Sequence, residues 1–193
     1  DDDPSVLVQL RNEFAIINQL LGERGCPEHL EPEYAPELLG PGDEKLSSQS
    51  VECLQRAMAC RIVGEPIRSG ASTREDVLFT RQVRDTEGSH SHLLNHFLNA
   101  GFYVPVDFEM PIRSDRLQDR YVGSSQRLER ELRELAPLLG LKWEGDSPSI
   151  EILNEWADEW EVHPHSLERN AWAHLWAGVQ ISLEHGCAME LTC

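Results

Sequence analysis

Along most of the chain, apolar residues return every three or four positions, the spacing of one face of an α-helix. Val6, Leu7, Leu10, Phe14, Ile17 and Leu20 do so over 4–22, where Pro4 suits a first helical turn behind an Asp3 cap. A second helix is expected over 48–63, with Val51, Leu54, Met58 and Ile62 inward. The stretch 73–84 suits either helix or strand, and the capping-box spacing of Ser72 and Glu75 favours helix. A short helix over 90–100 should close at Gly101. Leu128, Leu132 and Leu135 mark another over 124–136, which Pro137 stops because proline lacks the N–H the next turn needs. The charged residues on its other side, Arg127 to Glu134, read as a solvated face.

Two helices carry tryptophan pairs one turn apart. Trp156 and Trp160 fall in the apolar stripe of 148–161, whereas Trp172 and Trp176 fall in 166–185, which Ser166 can cap. The second segment is apolar nearly all round, so it is expected to be central and buried. Core packing explains both pairs better than a ligand-stacking platform does, because aromatic stripes at helical spacing face the core.

Period-two patterning is scarce. Residues 102–108 read as a strand, and Pro105 confines it to a sheet edge or a buried extended segment. Residues 187–192 can lie beside it. The predicted fold class is therefore mainly α: one domain over 1–193, a multi-helix orthogonal bundle around the buried C-terminal helix, with a minor two-stranded β element. The weak candidate boundary is 26–45, a loop with four prolines, two glycines, six carboxylates and one short turn at 34–39.

Charge changes the picture more than size does. The 193 residues carry a net charge of −17. Such a surface repels phosphate backbones and anionic lipid, so neither nucleic acid nor membrane is expected as a partner. No apolar run approaches the ~20 residues that span a bilayer. The opening DDDPSV lacks the basic and apolar regions of a signal peptide, so a cytoplasmic location is expected. The five cysteines are odd in number and form no CxxC, which suits free buried thiols such as Cys53 and Cys60 on one helix face.

The densest chemistry is EGSHSHLLNH, residues 87–96. On a continuous helix His92 and His96 sit one turn apart, a spacing that lets two imidazoles share zinc or a similar divalent ion. His90 is the third candidate ligand, and Asp107, Glu161, His163 and His165 are the side chains able to complete a site. The opposing reading places all three histidines among ordinary helix-start groups that satisfy free backbone amides. His174 is expected as a satisfied buried imidazole partnered by Asn170, since no motif sets a Ser or Cys nucleophile beside it. Glu168 is expected in solvent. In YVGSS, 121–125, serine capping outweighs anion binding, and no P-loop lysine follows.

Two functional classes follow. The first is a non-enzymatic binding protein that sets the carboxylate-rich surfaces 28–44 and 144–161 against a basic protein, as inhibitors and immunity proteins do by charge. The alternative is a metal-dependent, hydrolase-like enzyme centred on His90, His92 and His96. Self-association is compatible with either, and the sequence leaves its geometry open.

Overall fold

The computed structural model describes residues 4–32, 46–96, 101–117, 121–141, 148 and 163–191. The described chain runs α1 (Pro4–Gly22), α2 (Ser48–Val63), α3 (Arg74–Asp85), α4 (His92–Asn95), β1 (Phe102–Val104), β2 (Ile112–Arg113), β3 (Tyr121–Ser124), α5 (Ser125–Leu135), α6 (Ser166–His185) and β4 (Met189–Glu190). It is mostly helical, as expected. The two-stranded element is corrected to a four-stranded sheet in the order β2-β3-β1-β4.

β1 pairs with β4 antiparallel, Phe102 opposite Glu190, as the pattern suggested. It also pairs with β3 in parallel, so it is an inner strand and not an edge. Pro105 is no obstacle, because the strand ends at Val104. Side chains alternate across the sheet. Phe102, Val104, Ile112 and Val122 face a cluster completed by Ile17, Leu20 and Leu21 of α1. Tyr103, Tyr121 and Met189 face the other way, into the cluster that α2, α5 and α6 share. The two-residue register of a strand thus splits the apolar core into two layers. Gly123 permits this. A Cβ there would lie 2.4 Å from the Tyr103 ring, which only a glycine lets settle over β3.

The central position of α6 is as anticipated. Trp172 and Trp176 are 0 % and 1 % exposed, and their rings stack with centroids 5.1 Å apart. Trp172 Nε1 donates to the Leu132 carbonyl of α5 at 2.7 Å. Leu128, Leu132 and Leu135 are buried against it. Cys53 and Cys60 are buried free thiols, and burial, with Glu168 next, pushes Cys53 up to about 11.

Caps shift by one residue at two helices. The box on α3 is Thr73 with Asp76, not Ser72 with Glu75: Thr73 Oγ1 accepts from the Asp76 amide while Asp76 accepts from the Thr73 amide. At α6 the cap position is His165, without a side-chain bond, and Ser166 is the first helical residue. Over the described part of the helix expected at 90–100 only one turn forms, His92–Asn95, because His96 turns to an extended conformation (ψ 132°); residues 97–100 lie outside the described residues. The helix over 148–161 with its tryptophans, the turn at 34–39 and the Asp3 cap lie outside the described residues, as do most of the surfaces 28–44 and 144–161.

Candidate functional site

The histidine segment is where helices and sheet meet. The carboxylate of Glu131, from α5, accepts the main-chain amides of His92 and Leu93 at 2.7 Å each. It therefore caps the turn of α4, and is not part of the solvated face expected of α5. Gln55 of α2 donates its amide to the carbonyls of Leu93 and His96. Tyr103 and Tyr121 both donate to the His92 carbonyl. Asn95 donates to the carbonyls of Gly88, Ser89 and Ser91, and receives Arg113 at 2.6 Å. Side chains from α2, α5, β1 and β3 thus satisfy one short stretch of backbone, and Arg113 of β2 fixes the Asn95 side chain within it.

Within that setting the three histidines part company. His92 is 0 % exposed and accepts the Ser124 amide on Nδ1 at 2.8 Å. Its neutral ring must then carry the proton on Nε2, which donates to the Glu109 carbonyl at 3.3 Å. His96 lies face to face on Tyr103, centroids 5.4 Å apart, and edge-on to Tyr121. His90 is exposed, 3.5 Å from Glu109, at the mouth of a cavity of about 350 Å³ also lined by Arg127, Arg130, Glu131 and Glu134. The one-turn spacing assumed for His92 and His96 does not form, because the helix stops between them. His163 and His165 sit together at the start of α6, where His165 lies 3.8 Å from Glu168. Asp107 is held by Arg127 and Arg130, each at 2.8 Å. Among the described residues no three His, Cys, Asp or Glu side chains gather as metal ligands would.

Burial leaves its mark on titration. It lowers His92 and His96 to about 4, and raises Glu131 to about 7 against the pull of the amides it accepts. The signs oppose one another. A histidine lowered on folding resists protonation, so its contribution is intact above its ordinary 6.5 and is lost as pH falls towards 4. A raised carboxyl does the reverse: stability grows as pH falls from 7 to its ordinary 4.5. Each site contributes a slope of about 1.4 kcal/mol per pH unit. Between 6.5 and 4.5 His92 and His96, with His163 lowered in the same direction, outweigh the one raised carboxyl, so stability should fall as pH falls. Thermal melts of wild type and His96→Phe across this range check it. The variant should gain stability relative to wild type as pH falls from 6.5 towards 4, and a constant difference would show that His96 does not titrate this way.

The second signal missed in the sequence is a buried ion network. Glu168 is 0 % exposed, not solvated, and accepts Arg56 Nη2 at 2.8 Å. Arg56 also reaches Asp76 at 3.2 Å and the carbonyls of Arg68 and Gly70. Burial alone would raise Asp76, yet the Thr73 amide and hydroxyl and the two guanidiniums hold it at about 2. Polar residues at inward positions of α2, Gln55 and Arg56, were the available clue. His174 is half-buried rather than buried, and half-satisfied: Nδ1 meets the Asn170 main-chain carbonyl at 2.8 Å, while Nε2 has no partner among the described residues.

Arginines elsewhere are tied down in the same manner. Arg61 pairs with Glu134, Arg68 with Glu65 and Asp76, Arg84 with Asp85, Arg116 with Glu23, and Arg133 with Glu129. With Arg56, Arg127 and Arg130, eight arginines of the described framework are matched to carboxylates of that framework. The sequence between them is unlike this. Residues 142–162 hold seven carboxylates against one lysine, and 26–45 hold six against one. No helix among the described residues is long and apolar enough to cross a membrane.

These features define an acidic, mostly helical protein in which eight framework arginines are matched to carboxylates while most of the carboxylate surplus lies in two stretches of sequence. The chain belongs to the family described as "Putative DNA-mimic protein", which it matches over residues 1–191. No curated protein and no solved structure matches it.

Proposed function

We propose that this chain is a non-enzymatic binding protein that occupies the DNA-binding surface of a basic protein, its carboxylates standing where phosphates would. The observation that carries the reading, beside the family, is the division of charge. Eight framework arginines are engaged with framework carboxylates, while 26–45 and 142–162 together hold thirteen carboxylates against two lysines and so carry most of the net negative charge. A cationic groove built for phosphate gains charge-assisted contacts from such carboxylates without any base to read.

The competition has a characteristic salt response. A protein that neutralises Z phosphates releases condensed counterions, so its affinity for duplex DNA falls with log salt at a slope of about −0.9Z. Protein carboxylates are spaced more widely than duplex phosphates and condense fewer ions, so the chain's own affinity should fall less steeply. The test is competition against labelled duplex DNA for a sequence-indifferent DNA-binding protein, at about 50 and 200 mM salt. The chain should displace DNA, and do so at a lower molar ratio at the higher salt. Failure to displace DNA at either salt would overturn the reading.

A further inference from the structure

The outward face of α3 is unlike the surplus elsewhere. Arg74, Glu75, Leu78, Arg81, Gln82 and Asp85 are its exposed residues, at the i, i+4, i+7, i+11 spacing of one helical stripe and its flank. Two arginines balance two carboxylates, so this face is neutral on a chain of charge −17. Arg74 and Arg81 form no ion pair among the described residues. Between them Leu78 stands 54 % exposed, whereas the neighbouring Phe79 is covered by the Arg68 guanidinium at 4.5 Å.

The order of these residues is self-complementary. Turned end for end about a point between Phe79 and Thr80, Arg74 falls opposite Asp85 and Leu78 opposite Arg81. We propose that two copies of this chain dimerise through α3, packed antiparallel against itself about a two-fold axis. Each contact then occurs twice, as an isologous interface requires. Each Asp85 is already held on Oδ1 by Arg84 of its own chain at 2.8 Å and offers Oδ2 to the opposing Arg74, so two Arg74–Asp85 pairs flank the centre, and each Leu78 lies along the aliphatic stem of the opposing Arg81. Here two strongly acidic chains can touch without placing surplus carboxylate against surplus carboxylate. The long-range repulsion between them is screened beyond about 8 Å at physiological ionic strength, which sets the condition for the test. The proposal is independent of the partner reading.

Light scattering during gel filtration, at about 0.15 M salt, should give twice the chain mass for wild type. Arg74→Asp sets two carboxylates against each other in each half, and should weaken association roughly tenfold or more. The helix itself tolerates the change, since an acidic residue in the first turn suits the helix dipole. Adding Asp85→Arg re-creates the pairs in the opposite sense and should restore the dimer. A wild-type monomer at every concentration overturns the proposal. So does a dimer that survives Arg74→Asp, or a double variant that stays monomeric.

Discussion

Trp172→Ala should lower the melting temperature by roughly 6–20 °C, the equivalent of about 3–5 kcal/mol in a chain of this size. The cost has two parts. Removing the indole strips a fully buried ring from its stack on Trp176 and opens a cavity between α5 and α6. It also deletes the bond from Nε1 to the Leu132 carbonyl. That carbonyl keeps its helical partner, the Ala136 amide at 3.0 Å, so the carbonyl is not orphaned and the cavity dominates. Trp172→Phe, which retains most of the volume, should therefore recover the greater share. Differential scanning calorimetry of both variants checks the ranking. A Trp172→Ala protein melting within a few degrees of wild type would contradict the central placement of α6.

Neutralising the carboxylates of 151–161 should have the larger effect on binding. The set is Glu151→Gln, Glu155→Gln, Asp158→Asn, Glu159→Gln and Glu161→Gln, five isosteric changes that remove five negative charges. If each ion pair contributes about 0.2–1 kcal/mol, affinity for the basic partner should drop by roughly fivefold to several thousandfold. The salt dependence should flatten in parallel, because fewer ion pairs remain to be screened. Folding should be unharmed or improved, since relief of like charge favours the compact state. Titration calorimetry, with a melt as control, separates these outcomes. Unchanged affinity would place the binding charge elsewhere in the chain.

The long helices were legible because their inward faces repeat at 3.6 residues and the caps confirm the ends. α2 begins and ends where its pattern does, between Ser47 and Gly64. β2 and β3 were not legible, because two and four residues, with β3 buried on both faces, carry no alternation to detect. The same brevity hid α4. Its single turn is capped locally by Ser91, whose hydroxyl accepts the Leu94 amide, but the His92 and Leu93 amides go to Glu131, nearly forty residues away, which nothing local announces. The histidines drew attention by residue type, which was sound, yet their roles depend on the strands that enclose them. His92 braces the start of α5 through Ser124, and His96 fills the gap between two tyrosines. Glu168 shows the converse. It looked like surface charge until Arg56, more than a hundred residues earlier, was found beside it.

The inner strand β1 takes one neighbour from β3 and the other from β4, and Leu191 closes the seam by donating its amide to Gly101. A nascent chain leaving the ribosome carries Phe102–Val104 long before Met189 emerges. Until then β1 presents an unmatched row of amides and carbonyls to whatever lies nearby. Helices α2 and α3 can pair early, but the sheet can be finished only after synthesis has passed residue 190.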